Sequence, residues 1–278
     1  MANRKNASPA TSTTAGVLRP DELTKHVRLE RMDCAQSLAP WVENYWMLQW
    51  ELPAGTTYRS STLPHPACTL SVERGYLRDG VEQSVVVTGV PTRRFDVTLK
   101  DAGWVLGIKF RPGGLASFTG TSARPLRDAT AAASTVFPVT TVEALEQLGP
   151  HLSPEGCRNL VDAALDPGER SPKPDYDTVL RIVSVMLKNR SLVRVAQVEE
   201  RCGIGRRRLQ RLFEKYVGAT PKWVLARYRI HDAVSDLDAG YAGSLADLAA
   251  AYGWFDQAHF TREFTALVGV PPGAYQRW

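Results

Sequence analysis

The chain has 278 residues and a net charge of +5, with 44% hydrophobic and 23% charged residues, as in a soluble globular protein with room for two domains. Its apolar runs are shorter than the eighteen or so residues of a membrane span. Its four widely spaced cysteines form no zinc or disulfide framework. These properties exclude a membrane protein and a disulfide-rich secreted protein, and they favour a cytoplasmic one. Residues 1–17 are polar and predict a disordered tail rather than a secretory signal.

Residues 18–165 are predicted to form a first domain rich in strands, so that the whole chain is an α+β protein of two domains. Short β-branched and aromatic segments, separated by Gly and Pro, predict strands at 67–72, 83–90, 95–100 and 104–110. This spacing favours a β-sandwich or a small barrel. Apolar residues then recur at helical spacing from Val142 to Leu165, which predicts one or two flanking helices. The Pro- and Gly-rich segment 166–176 is predicted as a linker to an all-helical domain over 177–278.

The second domain is basic and contains an internal repeat. Residues 193–230 hold ten Lys and Arg side chains against three Asp and Glu, which is typical of a protein that binds a polyanion. A solvated charged face is the alternative explanation for this charge. A shift of 51 residues aligns the segment 209–213 with 260–264 and the segment 218–221 with 269–272. Two copies are too few for a solenoid, so they predict two similar helical units side by side.

Each copy of the repeat predicts a helix, a tight turn and a second helix. The helices are predicted over 193–201 and 206–216 in the first copy, and over 245–251 and 257–267 in the second. A long connecting helix is predicted from Pro221 to about Asp238. In the second helix of each copy the apolar residues share one face. The opposite polar stripe consists of Arg206, Arg207, Gln210 and Arg211 in the first copy and of Gln257, Ala258, Thr261 and Arg262 in the second.

Helices with outward Arg and Gln side chains near their N-termini fit the major groove of double-stranded DNA. An Arg can donate two hydrogen bonds to guanine, and a Gln can pair with adenine. Two such helices in neighbouring grooves would read segments about 34 Å apart. A solvated surface does not explain why polar positions repeat in this way. The sequence therefore predicts a sequence-specific DNA-binding transcriptional regulator, with Arg194 and Lys222 as contacts to phosphates.

Two segments carry a resemblance to a known family. GIGRRRLQRLF at 203–213 with GATP at 218–221, and LAAAYGWFDQAHFTREF at 248–264 with VPP at 270–272, are similar to the AraC/XylS family of bacterial regulators. The resemblance covers the second domain and implies seven helices with two helix-turn-helix units. It implies base-reading positions at Arg207, Gln210 and Arg211 and at the four polar-stripe positions of the second copy. Ala258 and Gly205 replace residues that are usually polar in the family, so we expect the first unit to read most of the sequence.

The first domain resembles the cupin-like, ligand-sensing domains that are joined to this family. The segments 40–46, 63–66 (LPHP) and 107–114 (GIKFRPGG) carry this likeness. It implies a β-barrel whose mouth binds a small-molecule effector, and dimerisation through the helices at 142–165. Each candidate effector contact could instead be a core or turn residue. The candidates are Trp46, Trp50, Tyr58, His65, Trp104 and Arg111. RNA polymerase and a second copy of the chain are the other candidate partners.

An enzyme of the metal-cupin type is the main alternative to a regulator. Such a site needs clustered His and Glu ligands, whereas the first domain has three histidines and no HxH pair. The sequence also shows no phosphate-binding loop and no nucleophile with a general base. We therefore expect no catalysis, no metal and no cofactor. A first domain that only dimerises, without binding a ligand, is the third interpretation.

Overall fold

The computed structural model describes residue 18 and residues 20–75 and 82–277. The tail predicted over 1–17 lies outside these residues. An N-terminal domain of strands with flanking helices is followed by a helical C-terminal domain, so the predicted fold class is confirmed. No helix in the described ranges is both long and apolar enough to cross a membrane.

Two antiparallel sheets form the N-terminal domain. Its elements are α1 (Pro20–His26), β1 (Val27–Met32), β2 (Val42–Glu51), β3 (Thr57–Thr62), β4 (Thr69–Gly75), β5 (Val85–Thr88), β6 (Phe95–Lys100), β7 (Ala102–Phe110), α2 (Gly114–Thr119), β8 (Thr130–Ala132), α3 (Val139–Leu145) and α4 (Pro154–Ala164). The large sheet has the strand order β1-β2-β7-β4-β5-β8, and β3 pairs with β6 in the small one. The two helices predicted between 142 and 165 correspond to α3 and α4.

The alternation of side chains along β2 separates two environments. Tyr45 and Met47 join a packed apolar core that includes side chains of α2, α3 and α4. Asn44, Trp46 and Trp50 instead face a hollow interior that is also lined by β3 and β6. The large sheet therefore has a solid side and a hollow side, as in a small barrel.

The C-terminal domain is helical throughout its described part. Its elements are α5 (Pro174–Lys188), α6 (Val195–Cys202), α7 (Arg206–Leu212), α8 (Pro221–Asp238), α9 (Leu245–Ala251), α10 (Gln257–Val268) and α11 (Pro272–Tyr275). A π-helical turn over Phe213–Val217 extends α7. These seven helices of the described residues match the number that the family resemblance implies, and α6 to α10 lie where the repeat predicts them.

The first helix-turn-helix unit shares its core with the N-terminal domain. One cluster of buried apolar side chains runs from the large sheet through α2 into α5, α7 and the start of α8. The Tyr176 hydroxyl of α5 donates to the Pro40 carbonyl oxygen at 2.8 Å. A Cβ atom on Gly113 would lie 3.1 Å from the Cβ of Tyr216, and one on Gly114 would lie 2.2 Å from the Trp41 carbonyl oxygen. Gly113 therefore allows the C-terminal domain to approach the sheet domain closely, whereas Gly114 allows α2 to pack against the chain just before β2.

The second unit has a core of its own. Trp254, Phe260, Phe264 and Tyr275 are buried in a cluster formed mainly by α9, α10, α11 and the C-terminal half of α8, which Leu18 and Leu63 of the N-terminal domain also join. The apolar cores thus divide the described chain within α8. The segment 166–173, within the predicted linker, has neither helix nor strand. The domain boundary predicted there stays a prediction.

Candidate DNA interface and ligand cavity

The first unit consists of α6, a three-residue turn and α7. Gly203 adopts a left-handed conformation with a φ of +62°, which ends α6 and starts the turn. On α7 the predicted apolar face is buried, including Leu209 and Leu212. The predicted polar stripe is exposed along its whole length, at Arg206, Arg207, Gln210 and Arg211.

Carboxylates hold two of the four arginines of α7. The Nε of Arg206 lies 3.0 Å from Oε1 of Glu199, and the Nη2 of Arg208 lies 3.2 Å from Oδ1 of Asp175. Arg207 and Arg211 have no carboxylate partner among the residues that the structure describes. Their guanidinium groups, together with the Gln210 amide, are therefore available to a ligand.

Counted from the left-handed glycine, the turn of the second unit is one residue longer than that of the first. In both units a left-handed glycine, Gly203 or Gly253, follows the first helix, and the next amide donates to a carbonyl oxygen five residues earlier. From that glycine α7 begins three residues later, whereas α10 begins four residues later. The additional residue is Phe255, whose side chain is 93% exposed. The turn of the second unit thus presents an aromatic ring to solvent directly before α10.

The second recognition helix, α10, begins at a capped N-terminus. The Asp256 carboxylate accepts a hydrogen bond from the His259 amide at 2.6 Å. The predicted apolar face, with Phe260, Phe264 and Leu267, is buried. Of the predicted polar stripe, Thr261 is half-buried and the other three residues are exposed: Gln257, Ala258 and Arg262.

The two predicted phosphate contacts lie at helix N-termini. Arg194 is the N-cap residue of α6, and Lys222 is in the first turn of α8, and both side chains are exposed. The positive end of a helix dipole favours an anion at such positions. The structure thus places the ten predicted DNA contacts on α7, on α10 and at these two N-termini.

The connecting helix α8 is largely buried. Two of its arginines contact the second unit and the N-terminal domain. The Nε of Arg229 donates to the Tyr252 carbonyl oxygen at 2.8 Å, and its guanidinium lies 4.1 Å from the centroid of the Trp254 ring. The Nε of Arg227 donates to the carbonyl oxygen of Pro64 in the N-terminal domain. The sequence predicts α8 only as a connecting helix and does not indicate the role of either arginine. Arg229 holds the turn of the second unit, and Arg227 holds the sheet domain.

The hollow interior of the N-terminal domain is a cavity of about 260 Å³. Three of the six predicted effector contacts line it: Trp46, Trp50 and His65. Burial and the nearby cations Lys109 and Arg227 lower the pKa of His65 well below its ordinary value, so its imidazole is neutral near pH 7.

The other three predicted effector contacts lie outside this cavity. Tyr58 packs against His26, with 4.5 Å between the ring centroids. Trp104 belongs to the apolar core on the solid side of the sheet. The Nε of Arg111 donates to the Ala39 carbonyl oxygen at 2.7 Å, which holds the chain before β2. In the structure Tyr58 and Trp104 pack against other side chains, and Arg111 forms a hydrogen bond with the backbone.

Polar residues that sequence analysis missed also line the cavity. Asn44 is 1% exposed, and neither its Nδ2 nor its Oδ1 has a partner within the described ranges. The Nζ of Lys109 lies 3.1 Å from Oε1 of Glu43. Burial lowers the pKa of Lys109, although the Glu43 carboxylate opposes this shift. Arg31 and Arg227 are further lining cations. Hydrophobic patterning could not find these residues, because it treats an inward polar side chain as exposed.

Two family models together match most of the residues that the structure describes. A helix-turn-helix family model matches residues 199–277, and a model described as a domain of unknown function (DUF6597) matches residues 30–132. The first match includes α7, α8, α9 and α10, which carry both recognition helices and their connector. Residues 199–277 form an AraC-type helix-turn-helix domain. The chain is therefore a DNA-binding transcriptional regulator, and the AraC/XylS resemblance of its C-terminal domain is confirmed.

Solved structures of low sequence identity align with the chain over most of its length. ToxT from Vibrio cholerae O395 is 12% identical, with a TM-score of 0.39, and the alignment covers 90% of this chain and 96% of that one. ToxT from Vibrio cholerae strain SCE256 with a bound unsaturated fatty acid is 11% identical, with a TM-score of 0.37 and coverages of 90% and 94%. The AraC-like transcriptional activator CuxR is 14% identical, with a TM-score of 0.25 and coverages of 81% and 99%. Curated protein sequences give no match.

Proposed function

We propose that this regulator reads its DNA site with two recognition helices, α7 and α10, in neighbouring major grooves. The repeated unit carries the proposal, because each copy has a buried apolar face and an exposed stripe at the start of its second helix. Arg207, Gln210 and Arg211 read bases in the first groove. The second groove is read by the stripe of α10, which has fewer long polar side chains and so contributes less to specificity.

Selection of binding sites from random duplex DNA by the full-length chain tests this proposal. We expect two enriched blocks of base pairs whose centres lie about 10 base pairs apart, which is one turn of the duplex. A single enriched block would contradict reading by both helices, and no enrichment would contradict sequence-specific binding.

A small molecule bound in the N-terminal cavity is the second part of the proposal. The cavity supports it, because its lining includes Arg227 of α8, so a ligand there touches both the sheet domain and the DNA-binding domain. A ligand changes DNA binding if it binds two arrangements of these domains with different affinity.

RNA polymerase and a second copy of the chain are further proposed partners. The cytoplasm is the proposed location, and the free thiols of all four cysteines support it.

The proposal includes no catalytic step, no metal and no cofactor. Among the described residues no group of three or more His, Cys, Asp and Glu side chains is placed to hold a metal ion. Metal analysis of the purified protein tests this part, and stoichiometric iron, manganese or zinc would revive the metal-cupin alternative.

Replacing Arg194 or Lys222 with alanine should weaken binding to the selected site and to random duplex by the same factor. A phosphate contact releases a counterion, so each loss should reduce the slope of log K against log salt concentration by about 0.9. Anisotropy titrations at several salt concentrations measure this slope. Arg28→Ala is the control, because Arg28 is an exposed arginine on β1 that pairs with Glu30, far along the chain from both helix N-termini. An unchanged slope in the two variants would contradict the assignment.

Replacing thymine with uracil in the half of the site that α10 reads should weaken binding about fourfold. Phe255 and Ala258 give the start of α10 an apolar edge that fits the thymine methyl group, and one buried methyl contributes about 0.8 kcal/mol. Phe255→Ala should reduce this preference for thymine. Competition binding with matched duplexes measures it, and uracil in the half that α7 reads is the control. A thymine preference that survives in Phe255→Ala would contradict the contact.

A further inference from the structure

We propose that the cavity of the N-terminal domain binds a small amphipathic anion, whose charged group lies between Lys109 and Arg227 and whose apolar body lies against Trp50. This inference rests on the proposed function, because it names the ligand class of the proposed effector site. Strand pairing, the charge of the lining and the contacts of α8 carry it.

Strand pairing gathers polar residues at one end of the cavity. Asn44 of β2 is paired with Lys109 of β7, which is in turn paired with Thr69 of β4. One inward position further along β2, Trp46 is paired with Arg31 of β1. All five side chains line the cavity. Because residues paired across a sheet lie side by side, this end carries an amide, a hydroxyl and two cations around one indole ring.

The other end of the cavity is apolar. Leu48 is the next inward residue of β2 and is paired with Leu29 of β1 and with Val105 of β7. Beyond it, Trp50 is buried in an apolar cluster with Leu23 and Leu99, among others. A ligand that fills the cavity therefore needs an apolar body at this end.

The charge of the lining favours an anion. Its cationic side chains are Arg31, Lys109 and Arg227, against Glu73 in the described lining and Glu43 behind it, which pairs with Lys109 at 3.1 Å, so the cations exceed these two carboxylates. Glu73 accepts a hydrogen bond from Ser71 at 3.0 Å and lies level with Val105, away from Lys109. A cavity with excess positive charge is stabilised when a bound group supplies negative charge.

Asn44 points to a ligand group with hydrogen-bond acceptors. Its amide is buried in the cavity wall beside Lys109, and its Nδ2 and Oδ1 have no partner in the described part of the chain. Buried amides in proteins nearly always have partners. A carboxylate or a similar oxyanion placed here accepts hydrogen bonds from Nδ2 of Asn44 and Nζ of Lys109 at the same time.

Arg227 links this end of the cavity to the DNA-binding domain. It donates to the carbonyl oxygen of Pro64, next to His65, and it lies two residues before Arg229 on α8. Arg229 holds the turn before α10 through its hydrogen bond to Tyr252. An anion that draws in the Arg227 guanidinium therefore changes the position of α8, and with it the position of α10 relative to α7. Arg227 acts here as a positioning residue.

Binding of matched acids and amides to the full-length chain tests the ligand class. The probes are butyrate, octanoate, dodecanoate and 4-phenylbutyrate, each beside its uncharged primary amide, measured by calorimetry. We expect at least one acid with a longer apolar body to bind about tenfold more tightly than its amide, and butyrate to bind weakest. Equal affinities of acids and amides, or no binding of any acid, would overturn the proposal.

Three substitutions assign the site. Lys109→Gln should remove the preference for acid over amide, and Trp50→Ala should weaken the acid and its amide alike. Arg28→Ala on the exposed part of β1 is the control that changes charge without touching the lining. A preference that persists in Lys109→Gln, with the fold verified by circular dichroism, would place the anion elsewhere and overturn the assignment.

The Arg227→Gln variant separates ligand binding from its effect on DNA. It should bind the acid more weakly than the natural chain, and at acid concentrations that saturate its cavity the acid should no longer change affinity for the selected DNA site. If the acid changes DNA affinity in Arg227→Gln as in the natural chain, the role of Arg227 is wrong. If the acid binds as predicted but never changes DNA binding, the ligand class holds and the proposed modulation fails.

Discussion

A chain in which Arg207, Gln210 and Arg211 are all replaced with alanine should no longer distinguish its selected site from random duplex. The three side chains are exposed on one stripe of α7, and each single replacement should raise the free energy of specific binding by about 1–3 kcal/mol. Binding to random DNA should fall much less, because phosphate contacts elsewhere supply most of that affinity. Competition titrations with both duplexes measure the specificity ratio.

Arg208→Ala is the matched control for this triple variant. Arg208 is an exposed arginine on the same helix, but it pairs with Asp175 of α5 rather than belonging to the predicted stripe. Its loss should leave the enriched sequence unchanged. If Arg208→Ala relaxes the sequence preference as much as Arg207→Ala does, the assignment of the reading face is wrong.

Phe264→Ala should unfold the second helix-turn-helix unit without unfolding the first. Phe264 is fully buried between Phe260 and Tyr275, with ring-centroid distances of 5.4 and 5.7 Å. Truncating a buried Phe typically destabilises a core by about 3–5 kcal/mol. The second unit has its own apolar core, so this loss should fall mainly on α9, α10 and α11. Hydrogen exchange should show these helices losing protection while α5 and α7 keep theirs.

Phe255→Ala is the control for stability, because it truncates the same residue type at a site that is 93% exposed. It should leave exchange rates unchanged. An equal loss of protection throughout the chain in Phe264→Ala would show that the two cores unfold as one cooperative unit, contrary to the division within α8.

The helices of the DNA-binding domain could be predicted from sequence because each has one apolar face against a core. The predicted buried stripe of α7, with Leu209 and Phe213, and the predicted start of α8 at Pro221 both match the structure. The internal repeat also locates the polar stripes. These features are local, since they depend on helical spacing and on residues near each helix end.

The strands that line the cavity could not be predicted in the same way. The patterns indicate the region of β4 to β7, but not β1 or β3, where Arg31, Ser60 and Thr62 face the cavity. A strand with polar side chains on its inward face lacks the alternation that marks a half-buried strand. The sequence also could not distinguish Trp104 from Trp46. Only the sheet register shows that Trp104 faces the apolar core and Trp46 faces the cavity.

Two features of the DNA-binding domain depend on tertiary contacts that sequence analysis cannot supply. Arg227 and Arg229 are buried because carbonyl oxygens of distant segments accept their hydrogen bonds, whereas arginines in a helix are ordinarily predicted to be exposed. The additional residue in the second turn is visible only when both units are compared at the glycine that ends their first helices. The exposed ring of Phe255 is its consequence.

Guanine methylation interference on the selected site tests most directly whether both recognition helices read the major groove, because the modified atom, N7, lies in that groove. We predict two groups of sensitive guanines about 10 base pairs apart on one face of the duplex, with one group lost in the triple variant of α7. A single group, two groups on opposite faces, or two groups that both persist in that variant would contradict the account.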